Sequence, residues 1–292
     1  LDPPGDPAGR PGLVLVATPI GNLGDISPRA LAALKNADAV LCEDSRVTGG
    51  LLARQGIAAT MIPLHEHNEA AQAPKLVERM IAGEGFALVS DAGTPLVSDP
   101  GFRLVRAAIA AGVTVSAVPG PNAAVTALAL SGLPPHPFLF LGFLPAKAGP
   151  RSAEIARLRG IERAGLSATL VFYEAPHRLG EALTAMAGGF GADRPAAVAR
   201  ELTKRFEEVR RGTLGDLAAH YATAEARGEI CVVVGPAPEE AAAGPEDLDA
   251  ALRAALSTGM SLRDAAASVA EATGLKRREV YARALQLFRD DG

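Results

Sequence analysis

Apolar and polar positions in the first half of the chain alternate between two textures. Short aliphatic runs at Gly12–Ala17, Ala39–Cys42, Phe86–Ser90 and Val113–Val118 read as strands. Between them, apolar residues recur at helical spacing over Pro28–Asn36, Val47–Gln55, Ala70–Ile81 and Phe102–Ala111. Strands alternating with helices at these intervals predict a mostly parallel sheet covered by helices.

Pro119-Gly120-Pro121 breaks this rhythm, and the helix predicted over Asn122–Leu130 opens a different texture. Strands at Phe138–Phe143, Ala168–Tyr173, Ala196–Arg200, Phe206–Gly212 and Ile230–Val234 mix with helices at Arg151–Arg163, His177–Ala187 and Leu214–Tyr221. That mixture predicts a second α/β sheet with more antiparallel pairing. Beyond an Ala-, Pro- and Glu-rich linker, Glu246–Arg289 is helical throughout. Leu248, Leu252 and Leu256 form one stripe, Ser261 is placed to cap a second helix, Gly274 to end it, and Lys276–Leu287 reads as a third. The expected organisation is a flexible arm over 1–11, α/β domains over 12–120 and 121–236, a linker over 237–245 and a helix-turn-helix-like module over 246–292.

Composition narrows the class. A chain of 292 residues with 48% hydrophobic and 21% charged residues has the balance of a globular protein with about two domains. Its two cysteines, Cys42 and Cys231, lie in apolar runs and read as reduced core residues, which favours a cytoplasmic setting. The Pro- and Gly-rich N-terminal residues have no apolar core and do not resemble a signal peptide. Residues 107–146 carry no Asp, Glu, Lys or Arg, but prolines at 119, 121, 134, 135 and 137 cut them into pieces too short for a membrane span. A net charge of -4 excludes a non-specific nucleic-acid binder, so any RNA must be held by local basic patches.

Three loops after strands are rich in Gly, Pro and small residues: Thr18–Asp25, Ser90–Gly101 and Pro119–Ala123. In an open α/β sheet, ligands bind beyond the carboxyl ends of strands, where glycine lets them approach the main chain. Gly21 and Gly24, with Glu43 and Asp44 some twenty residues on, suggest a dinucleotide site, but the third glycine of that fingerprint is absent. His65-Glu66-His67 lacks the further ligands a metal site requires, and no metal is expected.

Leu15–Leu23, Cys42–Arg46, the Ser90–Gly101 loop, Phe172–Arg178 and Ala199–Lys204, taken in that order, resemble the tetrapyrrole-methylase superfamily and, within it, the methyltransferases of small-subunit ribosomal RNA. Ser45 and Asn122 depart from the usual Thr and Ser. The resemblance spans about Gly12 to Pro236, and the helical tail also fits it. It implies two α/β domains with S-adenosyl-L-methionine in the cleft between them, and a homodimer. It further implies 2′-O-methylation of cytidine 1402 in 16S rRNA. By motif position it implies cofactor contacts from Pro19, Ala92, Gly93, Thr94, Val97, Asn122, Ala123, Tyr173 and Leu202.

A ribose hydroxyl is a poor nucleophile at neutral pH and needs a proton acceptor within hydrogen-bond reach. Asp44, Glu174 and Glu201, each near a strand end, are the candidate catalytic residues, with His177 a further possibility. Asp44 beside Arg46 and Glu174 near Arg178 are equally placed for ion pairs. For the RNA, Lys147 and Arg151 begin one basic cluster, Lys204 and Arg205 belong to a second, and Lys276, Arg277 and Arg278 lie on the last helix. Three tyrosines and no tryptophan leave little for base stacking. Two other readings fit the same residues: a methylase of tetrapyrroles or other small acceptors, and a non-catalytic ribosome-assembly factor.

Overall fold

A computed structural model describes residues 12–238, 245–257, 259–273 and 276–290. The arm expected over 1–11, most of the expected linker and the helix stop at Gly274 lie outside the described residues. Residues up to Pro236 form one compact unit, and the residues from Ala237 form another.

The first half runs β1 (Gly12–Val16), α1 (Pro28–Asn36), β2 (Ala39–Cys42), α2 (Ser45–Arg54), β3 (Met61–Pro63), α3 (Glu69–Ile81), β4 (Gly85–Leu88), α4 (Phe102–Ala110) and β5 (Val115–Val118). The strands pair in parallel in the order β3-β2-β4-β1-β5. Met61–Pro63 was not expected as a strand; it is short, ends on a proline and sits at the sheet edge, where the missing N–H does least harm.

Successive residues of each strand face opposite layers. Leu13, Leu41, Phe86 and Leu88 pack with Leu76 of α3 and Leu104 of α4. Val16, Val40, Ala87 and Val118 pack with Leu34 of α1 and Leu52 of α2. The chain leaves the adjacent strands β1 and β4 toward opposite layers, which opens a crevice at their carboxyl ends.

Next come α5 (Ala123–Ser131), β6 (Phe138–Phe143), α6 (Ala148–Arg163), β7 (Thr169–Glu174), α7 (Leu179–Phe190), β8 (Pro195–Arg200), β9 (Glu208–Thr213), α8 (Leu214–Tyr221) and β10 (Ile230–Val234). The second sheet has the order β6-β7-β10-β8-β9, parallel between β6 and β7 and antiparallel elsewhere. One face packs on α6, α7 and α8 through Phe172, Val198 and Val232. The other packs on α5 and on Ile20 through Val171, Ala199 and Val233. Helix α5 therefore starts in the third Gly-Pro loop of the first sheet and ends as a covering layer of the second.

The second unit comprises α9 (Pro245–Ser257), α10 (Leu262–Thr273) and α11 (Arg277–Asp290) around Leu252, Val269, Val280 and Ala284. Ser261 caps α10 as expected, its Oγ accepting the Asp264 N–H at 3.2 Å. Among the described residues no helix is long and apolar enough to cross a membrane.

Candidate active site

The loops after β1, β4 and β5 are tied into one rim by hydrogen bonds to main-chain carbonyls. Thr18 N–H donates to the Gly93 carbonyl at 2.9 Å and Gly93 N–H returns to the Thr18 carbonyl at 3.1 Å. Thr94 Oγ1 donates to the Pro121 carbonyl at 3.0 Å and so links the second loop to the third. Beneath them, Thr18 Oγ1 donates to the Ser90 carbonyl at 3.3 Å.

Strain concentrates here. Leu96 and Ser98 hold left-handed backbone at φ 71° and 68°, and in the facing loop Glu201 and Thr203 do so at 53° and 65°. Non-glycine residues hold that region only where the surroundings over-determine it, most often around functional clefts.

A cavity of about 420 Å³ lies against this rim, between the two sheets. Ala92, Gly93, Thr94 and Val97 line it from the second loop, Ala123 from the start of α5, and Tyr173 from the end of β7. These six of the residues implied by the resemblance are thus brought together. Three are not among the lining. Pro19 is half-buried beside Ile20, which does line the cavity. Asn122 caps α5, its Oδ1 accepting the Val125 N–H at 3.1 Å. Leu202 packs in the core formed by α5 and the second sheet.

The three nominated carboxylates separate in the same way. Glu174 lines the cavity, but its side chain is buried and Oε1 already accepts from Arg178 Nε at 2.8 Å and from Ala175 N–H at 2.8 Å. Asp44 lies off the cavity and caps α2. Arg46 grips it through Nε and Nη2 and holds its carboxyl down at about 2. Glu201 is held below its ordinary value first by Lys204, whose Nζ lies 2.8 Å from Oε1, and it also accepts the Glu229 N–H. Both ion pairs weighed from the sequence, Asp44–Arg46 and Glu174–Arg178, form.

Other carboxylates occupy the cavity wall: Glu43, Asp91, Asp99 and Glu229. Burial pushes Asp99 up to about 6, helped by the negative charge of Glu43 and opposed by a hydrogen bond from Ser90. Burial also raises Glu43, with Asp91 adding to it. Asp91 Oδ1 accepts the backbone N–H of Asp44 at 3.1 Å. A signal for this cluster exists in the sequence: Ser90-Asp91 and Ser98-Asp99 repeat within one Gly-Pro loop. Tyr173, whose phenol is pushed up to about 12 by burial, meets Phe140 and Phe143 edge-on and closes the apolar side. No lysine or arginine is among the lining residues described.

The basic residues nominated for RNA divide by exposure. Lys147, Arg205, Lys276, Arg277 and Arg278 are exposed. Lys204 is half-buried between Glu201 and Glu229. Arg151 is buried, on the wall of a second cavity. His65 and His67 approach edge-on at 6.0 Å, and among the described residues no group of three His, Cys, Asp or Glu side chains is set to hold a metal ion.

Residues 12–218 match the model of the tetrapyrrole (corrin/porphyrin) methylases, and residues 242–288 match that of the RsmI C-terminal HTH domain. The chain is 50% identical to the ribosomal RNA small subunit methyltransferase I of Mesorhizobium japonicum, covering 95% of this chain and 92% of that one. It is 46% identical to the protein of the same name from Pseudomonas aeruginosa, over 94% and 96%. Diphthine synthase superposes with a TM-score of 0.58 at 18% identity, over 76% of this chain and 90% of that one. Uroporphyrin-III C-methyl transferase from Thermus thermophilus, complexed with S-adenyl homocysteine, superposes with a TM-score of 0.54 at 20% identity, over 77% and 97%. These two likenesses show the fold, and the sequence matches show the family: the chain belongs to the tetrapyrrole methylases and, within them, to the ribosomal RNA small subunit methyltransferase I family.

Proposed function

We propose that the protein transfers a methyl group from S-adenosyl-L-methionine to the ribose 2′-oxygen of cytidine 1402 in 16S rRNA of the small ribosomal subunit. The observation that carries this reading is the cavity itself: an acid-lined cleft on main-chain loops at the sheet crevice, in a chain half identical to a named ribosomal RNA methyltransferase.

The residues present suit that donor. A volume of about 420 Å³ falls in the roughly 300–1,000 Å³ range of small-molecule sites. A positively charged sulfonium and ammonium call for Glu43 and Asp91, and an adenine ring calls for apolar walls such as Ile20 and Tyr173. The donor's backbone-like methionine end would lie against Ala92, Gly93 and Thr94, with Val97 and Ala123 beside it. Pro19, Asn122 and Leu202 serve behind this layer by setting Ile20, starting α5 and backing the second sheet. When bound, the donor supplies an electrophilic methyl group for in-line displacement.

The chain's own work is to orient the ribose hydroxyl and to take its proton. We assign proton acceptance to Asp99, because it lines the cavity, no arginine or lysine holds its carboxylate, and burial raises it to about 6, nearest of the wall acids to neutral pH. Asp44, Glu174 and Glu201 are engaged with Arg46, Arg178 and Lys204, and they serve to hold the rim in place. Exposed Lys147, Arg205, Lys276, Arg277 and Arg278 meet RNA phosphates, and the protein works as a homodimer without a metal.

Labelled-methyl transfer to small subunits lacking the modification, followed by mapping of the labelled nucleoside, tests the reading. Label on a cytidine 2′-oxygen is expected. Label on a base atom, or on a small tetrapyrrole acceptor in its place, overturns it. Calorimetry that finds no donor binding would leave an assembly factor.

A further inference from the structure

A second cavity of about 1010 Å³ opens beside the first, and the two share Pro176 and Gly228 as walls. It is framed by the first turn of α6, the turn after β7 and the segment before β10. Unlike its neighbour it has arginines in its wall: Arg151, Arg227 and His177 line it beside Glu181 and Glu225, and Glu225 holds Arg227 at 2.8 Å.

Arg151 is the unusual group. Its side chain is only 6% exposed, yet Nε has no hydrogen-bond partner. Nη1 reaches the Ala146 carbonyl at 3.4 Å, and Nη2 reaches Glu181 Oε2 at 3.2 Å. Glu181 is itself 74% exposed and free to turn to water. A guanidinium carries five N–H donors and no acceptor, so a buried one normally recruits a full set of oxygens. Arg194, equally buried, does so, with both oxygens of Glu162 and the Gly235 carbonyl. Arg151 lines the cavity with an incomplete set of partners, its Nε buried and unsatisfied, which suits an oxyanion arriving in place of the exposed Glu181.

We propose that this second cavity seats a phosphodiester of the RNA strand adjoining the target ribose, gripped by Arg151 with Arg227 and His177 at its rim. The inference rests on the ribosomal RNA reading. A ribose 2′-oxygen has a phosphate on the neighbouring 3′-oxygen, so a phosphate must lie within one nucleotide of the methyl group transferred. Two cavities with two walls in common meet that requirement: an acidic one for the cationic donor and an arginine-bearing one for the anionic strand. Two parallel N–H groups match a phosphate as a single ammonium does not.

The test compares full-length wild type with Arg151→Lys, Arg227→Gln and His177→Gln/Arg227→Gln. Methyl transfer to small subunits lacking the modification is measured over a range of subunit and salt concentrations, with donor affinity by calorimetry. Arg151→Lys keeps the charge and the packed stem, so it reports the fork rather than folding. Expected are a KM for small subunits raised roughly tenfold, an unchanged donor Kd and a little-changed kcat. The salt dependence of subunit binding should be shallower by about 0.7–0.9 in the variants that remove the charge of Arg227, and unchanged in Arg151→Lys, which keeps its charge. If wild type transfers methyl groups and all variants keep its KM, the phosphate seat is refuted while the activity stands. If the variants lose donor affinity instead, the oxyanion is the donor's own carboxylate and the proposal falls. If wild type does not methylate small subunits, the underlying reading fails and takes this proposal with it.

Discussion

Thr18 and Gly93 exchange two main-chain hydrogen bonds, 2.9 and 3.1 Å long, across the mouths of β1 and β4. The pair joins the two loops that bound the crevice where the donor is proposed to sit. Gly93 has φ 84°, and a Cβ built on it would stand 3.2 Å from Ile20 Cγ2 and 3.6 Å from the Pro121 carbonyl. Left-handed backbone costs an alanine about 1–2 kcal/mol, so Gly93→Ala must strain the rung or push Ile20 into the cavity. A lower melting temperature is expected, with donor affinity in calorimetry weakened roughly tenfold or more by the distorted rim. Wild-type affinity would show that the rung does not shape the donor site.

Asp99 yields a pH prediction. Its carboxyl is raised to about 6, and the ionised form is the one that accepts a proton. Rate under limiting substrate should therefore climb as pH rises through about 6, then level off. Asp99→Asn should abolish that limb and lower the rate by roughly 10²–10⁴. Stability runs the other way. Between the ordinary value of 3.8 and about 6 the folded chain holds a proton that the unfolded chain has released, so stability falls as pH rises through that window. The same variant should flatten that slope in denaturation experiments, and an unchanged slope would place the raised carboxyl elsewhere.

The buried pair Arg194 and Glu162 fastens α6 to the end of β10 through the Gly235 carbonyl, with both side chains 1% exposed. Arg194→Met leaves Glu162 only the longer contact with Arg159 at 3.4 Å, so it should cost up to about 3–5 kcal/mol in chemical denaturation. Adding Glu162→Leu should recover part of that loss, since no under-paired carboxylate then remains inside and the part-exposed Arg159 can turn to water. A double variant less stable than the single one would show that the pair contributes more than it costs to bury.

Asn122 acts on α5 as a cap, and its side-chain oxygen takes the Val125 N–H. Asn122→Ala should cost about 1 kcal/mol, whereas Asn122→Ser should stay within a few tenths, because serine caps nearly as well. Equal losses in thermal melts would mean that Asn122 acts through something other than its cap.

Much of the fold was legible because periodicity reports burial. The continuous aliphatic runs at Val14–Val16, Ala39–Cys42 and Phe86–Leu88 suit strands covered on both faces, and they form them. The Gly-Pro loops after β1, β4 and β5 marked the ligand edge for a local reason, since main-chain approach needs small residues. Met61–Pro63 escaped because three residues carry no readable period. The early start of α2 at Ser45 escaped because its cap, Asp44, looked like a site residue.

What the chain determined by itself is the order of its layers and the composition of its loops, since burial and backbone freedom are local demands. Only the tertiary structure decided which acid enters the cleft. Glu43 and Asp44 are neighbours just past the end of β2. Glu43 lines the cavity, while Asp44 turns away to cap a helix and hold Arg46. Successive side chains leaving a strand point to opposite sides, so one residue of register separates a wall of the site from a helix cap. Register is fixed by packing across the whole sheet, and no single stretch of sequence contains it.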